Sequence, residues 1–256
     1  MTESPLKVWR ERDGRLLRLR LDRPKANIID AGMIAMLDAA FSDVANNPDI
    51  HAVLLDHQGP HFSFGASVEE HLPEHCADML SALHSLIKKI LTCPAPVLVA
   101  ANGQCLGGGL EVALACNLMF VAPDASLGQP EIKLAVFAPA ASCLLPRLVG
   151  QQAAEDMLLS GRSISGEEAA RLGLARVAVA DPQAAALDYF DKYLAALSAS
   201  SLRFAVAAAR QRFAAEVSAD LDRVEKLYLD GLMNSDDARE GLLAFVEKRM
   251  PEWRHC

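Results

Sequence analysis

Asn102-Gly103-Gln104-Cys105-Leu106-Gly107-Gly108-Gly109-Leu110-Glu111 is the stretch on which the reading of this chain turns. PAPVLVAANG (94–103), a short apolar run bounded by Pro and Gly, reads as a strand that enters it. The segment GGGLEVALAC reads as a helix that begins at the glycine cluster. Three consecutive glycines let a backbone approach a ligand closely, and amides at a helix N-terminus face negative charge. Tight packing of helix on strand accounts equally well for a triple glycine taken alone. The segment is not a phosphate-binding loop, because Leu110 and Glu111 stand where that loop needs Lys and Ser or Thr. A carboxylate two residues past the last glycine would repel a phosphate. An oxyanion held by amides, beside a proton carrier, suits these residues better.

On either side the same alternation of strand and helix continues. Upstream, Arg15–Leu21 ends in alternating Leu and Arg, the pattern of a half-buried strand. DRPKAN follows as a loop, since Pro24 disfavours both helix and central strand. Asp30 is a helix N-cap for Ile34, Leu37, Phe41 and Val44 at helical spacing. Ala52–Leu55 reads as a buried strand and 74–92 as a second helix. Downstream, 118–122 returns to strand. Ser165 with Glu168 has the capping-box spacing of a helix that Gly173 stops, and LARVAVA is a further strand. Past residue 182 the strand signals cease. Ser235 with Asp236 and Asp237 starts a last helix, which Pro251 is expected to end. The expected organisation is an α/β core over 1–195 and a helical segment over 196–256, too apolar to stand alone and suited to packing on the core and on neighbouring copies.

Composition narrows the function classes. With 52% hydrophobic residues among 256, the chain has enough apolar material for one large core and too much for disorder. A formal net charge of −8 lacks the basic footprint that nucleic acid or an anionic membrane surface requires. No apolar run is long enough to span a bilayer, and the polar first residues have no signal-peptide pattern, so the cytoplasm is the expected compartment. The cysteines Cys76, Cys93, Cys105, Cys116, Cys143 and Cys256 form no C-x-x-C pair and no zinc-ligand grouping. They read as small hydrophobes of a reducing compartment. His57, His61, His71, His75 and His84 are expected to be solvated loop residues rather than metal ligands.

Two further segments contain candidate chemistry. His61-Phe62-Ser63-Phe64-Gly65-Ala66-Ser67-Val68 follows a strand and places a glycine among small residues. Gln129-Pro130-Glu131 holds a carboxylate between apolar neighbours, with Pro130 setting the chain direction before it.

Taken together and in order, these segments resemble the crotonase (enoyl-CoA hydratase/isomerase) superfamily. RLRLDRPKAN is similar to its coenzyme A loop, HFSFGASVEE to its first oxyanion segment and AANGQCLGGGLEVALACNL to its second. SLGQPEIKL is similar to the segment bearing its second carboxylate, and LSGRSISGEEAARLGLARVAV and DDAREGLLAFVEKRMPEW to its later landmarks. The likeness runs from about residue 15 to 253. It implies a spiral of ββα turns followed by a C-terminal helical trimerisation region, assembled as a homotrimer or dimer of trimers. It implies that the N–H groups of Ala66 and Gly108 hold a thioester oxygen, and that Glu111 and Glu131 are the paired carboxylates of a hydratase. Lys25, Ala26 and Val68 fall where the family meets the coenzyme A nucleotide, and Lys248 where a phosphate is reached. No metal, flavin or nicotinamide is implied; coenzyme A belongs to the substrate.

After Glu131 many hydratases continue with a glycine-rich stretch, whereas this chain reads Ala135-Val136-Phe137-Ala138-Pro139-Ala140-Ala141-Ser142. A stiffer, differently shaped pocket wall is expected. Ser67 and Asn117 each stand where Asp is usual. FAPAAS with FSFGAS resembles the branch that hydrates cyclohexa-1,5-diene-1-carbonyl-CoA in anaerobic benzoyl-CoA breakdown, with Phe64 and Phe137 as flat walls for the ring. An ordinary enoyl-CoA hydratase or isomerase of fatty-acid oxidation shares the same four catalytic positions. A non-catalytic RNA-binding protein of the same fold is the alternative of a different class, against which the acidic balance and the retained Glu pair both weigh.

Overall fold

In the computed structural model, residues 4–23 and 25–256 are described; Pro24, read above as a loop residue, and residues 1–3 lie outside them. The chain opens with two antiparallel strands, β1 (Leu6–Glu11) and β2 (Leu16–Leu21), in register from Leu6 opposite Leu21 to Glu11 opposite Leu16. The alternation in β2 predicts a strand with one solvated face, yet Arg18 is only 2% exposed. Its guanidinium donates to Glu11 of β1 and to Asp56 of the next strand, and Arg20 donates to the same Asp56 carboxylate. Both guanidinium carbons lie 5.2 Å from the centre of the Trp9 ring. A buried cation is tolerated where carboxylates and an aromatic face supply its partners, and all of them come from other strands.

The expected helix follows as α1 (Ala31–Asn46), whose Met33 N–H donates to the Asp30 side chain at 3.0 Å. Then come β3 (Ala52–His57), α2 (Cys76–Leu91), β4 (Val97–Ala101), β5 (Gln104–Leu106), α3 (Gly107–Ala115), β6 (Leu118–Val121), β7 (Ser126–Gly128) and α4 (Pro139–Val149). Parallel strands need a crossover between them, and here each crossover is a short strand or bridge plus a helix. β3, β4 and β6 lie side by side in one six-stranded sheet of order β1-β2-β3-β4-β6 and a last strand, parallel from β2 onward. Ser63, Cys105 and Leu127 stack in a second, smaller layer, through a bridge from Ser63 to Cys105 and the pairing of β5 with β7. The result is the expected spiral of ββα turns.

α5 (Gln151–Ser160) leads to β8 (Ser163–Ser165), which closes the small sheet against β7, and to α6 (Gly166–Arg171), capped by Ser165. β9 (Val177–Ala178) completes the large sheet and is only two residues long, where seven residues of strand-like pattern precede the helical region. Past it, the described residues form helices: α7 (Pro182–Tyr193), α8 (Ala199–Lys226) and α9 (Asp236–Val246), the last capped by Ser235 as its sequence indicates. α9 stops before Pro251 can act. Lys248 takes φ +55°, and Arg249 N–H donates back to Ala244 O at 2.9 Å, a Schellman-type end.

Val217, Leu221, Tyr228 and Leu242 of the helical region join the same apolar core as β2, β3, β4 and α2. Five of the six thiols are buried in the chain and none is bridged; Cys256 is exposed. Among the described residues, no helix is long and apolar enough to cross a membrane. Along α8 runs an apolar groove of about 660 Å³, lined in part by Cys93, Pro94, Phe204, Ala207 and Gln211, with the Phe204 ring 76% exposed.

Candidate active site

The junction between β5 and α3 places the glycine cluster against the 63–66 segment. Ser63 N–H donates to Gln104 O and Leu106 N–H to Ser63 O, each at 3.0 Å, while Phe64 N–H donates to Ala26 O and Ile29 N–H to Gly65 O, each at 2.9 Å. The Ser63 hydroxyl donates to Asn27 O at 2.8 Å and accepts from Gly65 N–H at 3.0 Å. These bonds lock Ala66 beside Gly108. A Cβ built on Gly108 would lie 3.2 Å from the Ala66 nitrogen, and one built on Gly107, at φ +49°, would lie 2.7 Å from Glu131 Oε1. Close packing and room for a ligand, left open by the sequence, are therefore served by the same glycines. The Gly108 amide, in the first turn of α3, has no acceptor within its helix, and the Ala66 N–H has no protein acceptor among the described residues. Two free N–H groups lie close together, as an oxyanion requires.

Glu111 lies one turn into α3 and is 3% exposed. Its Oε1 accepts from the Ala141 N–H at 2.9 Å. Burial pushes its pKa above the ordinary carboxylate range, with the amides of Ala141 and Ala140 pulling the other way. Glu131 sits on a 3₁₀ turn, Pro130–Leu134, that follows β7. Its pKa is also raised, first by burial and then by the negative charge of Glu111. Buried Gln129, with its amide nitrogen turned toward this carboxylate, lies 3.1 Å from both Glu131 oxygens. Two carboxylates whose pKa values are both raised, one partly by the charge of the other, are equipped to give and to take a proton.

A cavity of about 60 Å³ opens on Glu131, bounded by Phe64, Ala66, Val68, His71 and Gly107 and by Leu242 of α9. Of the residues singled out in the sequence, Phe64, Ala66, Val68 and Glu131 line it, Gly108 packs against Ala66, the charge of Glu111 acts on Glu131, and Ala26 braces the group through Phe64. Phe137 is not opposite Phe64. Its ring packs edge-on against buried Tyr228, with centroids 5.1 Å apart, while Phe64 meets the His61 ring at 5.0 Å. The residue of that loop facing the cavity is Val136, because Ala135 at φ +56° turns the chain and sends Phe137 into the core. Lys25 and Lys248 are exposed at the surface.

The histidines also depart from expectation. His57 Nε2 accepts from Asn102 N–H at 3.1 Å, His61 Nδ1 accepts from Gln104 N–H at 3.2 Å, and His84 is buried against Glu225. They hold backbone and core rather than standing in solvent, whereas His75 is exposed. Among the described residues, no three His, Cys, Asp or Glu side chains are grouped as metal ligands would be. Asn117, a departure from the usual Asp, pairs with the Val97 backbone through both its own N–H and its Oδ1, at 2.8 Å each. The larger groove on α8 is lined by neither carboxylate nor imidazole.

The sequence reading missed Gln129, His71 and the Ala141 amide. The last was signalled by Pro139, a residue favoured at the first position of a helix, whose next amides then point at whatever anion is nearby.

A family model described as enoyl-CoA hydratase/isomerase matches residues 11–255. The chain is 62% identical over 252 residues to cyclohexa-1,5-dienecarbonyl-CoA hydratase of Thauera aromatica, covering 98% of each chain. It is 32% identical over 249 residues to a probable enoyl-CoA hydratase of Mycobacterium bovis, covering 96% of each. Among solved structures it resembles an enoyl-CoA hydratase/isomerase from Pseudoalteromonas atlantica, with TM-score 0.83, 28% identity and coverage of 97% and 99%. With the family model matched over residues 11–255 and the relatives matched over nearly their whole length, this chain belongs to the enoyl-CoA hydratase/isomerase family.

Proposed function

We propose that this protein is a hydro-lyase that adds water to cyclohexa-1,5-diene-1-carbonyl-CoA, forming 6-hydroxycyclohex-1-ene-1-carbonyl-CoA in benzoyl-CoA breakdown. The pairing of buried Glu111 with half-buried Glu131 beside the free amides of Ala66 and Gly108 carries the reaction type. The acyl group is supported by the 62% identity to the Thauera hydratase.

In the proposed reaction the water oxygen bonds to the ring carbon β to the thioester. Its proton passes to one carboxylate. The electron pair of the attacked double bond spreads through the diene to the thioester oxygen, where two fixed N–H donors meet the charge; losing one such donor typically costs about 3–4 kcal/mol. The second carboxylate delivers a proton to the far end of the diene, and a single ring double bond remains in conjugation. Atoms and charge balance with water as the sole co-reactant, so the chemistry calls for no cofactor beyond the coenzyme A of the substrate.

Lys25, Ala26, Val68 and Lys248 are assigned to the coenzyme A arm, and Phe64 to the acyl wall. Residues 196–256 are assigned to oligomerisation as a trimer or dimer of trimers, with the apolar α8 groove as the contact. Five buried free thiols suit a reducing compartment such as the cytoplasm.

Turnover on a small panel of acyl-CoA thioesters tests the reading. The specificity constant for the cyclic dienoyl-CoA is expected to exceed that for crotonyl-CoA by at least ~100-fold, or ~2.7 kcal/mol of transition-state discrimination. Equal constants, or a preference for crotonyl-CoA, would return the protein to ordinary enoyl-CoA hydration.

A further inference from the structure

The cavity beside Glu131 is lined almost wholly by backbone and apolar groups. Among the described residues, only Glu131 and His71 bring polar side chains to it. His71 ends a 3₁₀ turn, Glu69–His71, and three contacts fix that turn. The His71 N–H donates to Val68 O at 3.1 Å, the Ala31 N–H reaches the Glu70 carboxylate at 3.2 Å, and α9 packs across it.

The imidazole has a defined tautomer. Its Nδ1 lies 2.7 Å from Ser67 O, and a carbonyl oxygen can only accept, so Nδ1 carries the hydrogen. Nε2 is then a bare acceptor. Burial pushes the His71 pKa below its ordinary value, against the Ser67 carbonyl, which favours the neutral ring at neutral pH.

A site for an unsaturated acyl thioester has little obvious use for an acceptor. The acyl carbons carry no hydrogen-bonding proton, and the thioester oxygen is itself an acceptor, matched to Ala66 and Gly108. At the acyl end the only donor is the water. One of its protons leaves for a carboxylate; the other stays on oxygen and becomes the hydroxyl proton of the product. The cavity, at about 60 Å³, has room for about two waters at ~30 Å³ each, and Glu131 and His71 both line it.

We infer that His71 Nε2 accepts a hydrogen bond from the attacking water and then from the product hydroxyl, orienting the nucleophile and favouring a hydroxylated acyl group over its deoxy counterpart. The inference rests on the proposed hydratase reading and adds to it a residue that contacts the water. The coenzyme A arm, with its amides, hydroxyls and adenine amino group, is the other source of donors a ligand could offer. The two are separable, because every thioester carries the same arm.

The experiment uses the full-length protein with His71→Leu and His71→Gln. Dissociation constants are measured for 6-hydroxycyclohex-1-ene-1-carbonyl-CoA and for cyclohex-1-ene-1-carbonyl-CoA, which lacks the hydroxyl. His71→Leu is expected to weaken the hydroxylated ligand by about tenfold and the other by less than about twofold, with hydration kcat reduced by about tenfold and KM little changed. His71→Gln, which keeps an acceptor oxygen, is expected to recover most of both losses. Equal weakening of the two ligands, or no weakening of the hydroxylated one, overturns the inference. If the wild-type protein prefers crotonyl-CoA, the substrate reading fails first. The same comparison then runs with 3-hydroxybutyryl-CoA and butyryl-CoA, and the same two outcomes overturn the role of His71.

Discussion

The Ala141 N–H donates to Glu111 Oε1 at 2.9 Å, so the first turn of α4 grips the carboxylate that α3 carries. This bond explains what the loss of glycines after Glu131 accomplishes. In place of a glycine-rich loop, Pro139 opens a helix at residue 139, and the amides of Ala140 and Ala141 behind it both favour the ionised form of Glu111. Glu131 is held in the same manner from the side, by Gln129.

Glu111→Gln and Glu131→Gln are each expected to lower kcat by at least ~10²-fold, the scale of lost general acid–base catalysis. Affinity for a non-reactive acyl-CoA should change little, since neither carboxylate is assigned to the coenzyme A arm. Steady-state kinetics on the confirmed substrate decide the matter. Near-native kcat in either variant removes that residue from the mechanism.

The raised pKa values of the pair give a stability prediction with a definite sign. A carboxylate whose folded pKa lies above its unfolded value favours the folded state while protonated, and that advantage is lost as pH rises through the folded pKa. The wild-type protein should therefore lose stability relative to Glu131→Gln as pH climbs from the ordinary carboxylate range through neutrality. The difference should shrink again toward acid, where both are neutral at residue 131. Thermal unfolding of the two proteins across that range is the measurement; a constant difference in Tm would mean that Glu131 ionises as freely when folded as when unfolded.

Gly108→Ala probes the amide pair. The added Cβ would stand 3.1 Å from the Ala66 Cβ and 3.2 Å from the Ala66 nitrogen, tighter than ordinary contact, in the place where an oxyanion would be received. A loss of ~10²–10³-fold in kcat is expected, the size seen when one oxyanion donor is removed, with little change in Tm because the neighbour can give by a few tenths of an ångström. Full activity in this variant would show that the thioester oxygen is received elsewhere.

Features that depend on neighbours in sequence were legible without coordinates. Asp30, Ser165 and Ser235 accept from amides three residues on, and a side chain finds its own helix start wherever that helix packs. The apolar runs at 52–55, 97–101 and 118–122 are strands because a strand buried on both faces has no polar side to show. The glycine cluster and the two glutamates were identified by their order along the chain.

Groups whose state depends on partners far away in sequence were decided only by the tertiary structure. Arg18 is buried because Glu11, Asp56 and Trp9 converge on it from adjoining strands, and nothing in RLLRLRL announces them. Phe137 enters the core because Tyr228, 91 positions later, offers its ring, and His84 is buried because Glu225 comes to meet it. Glu111 and Glu131 are ordinary acidic residues by type. Only folding removes water from both and sets one charge near the other, and a pKa is a property of that surrounding rather than of the residue.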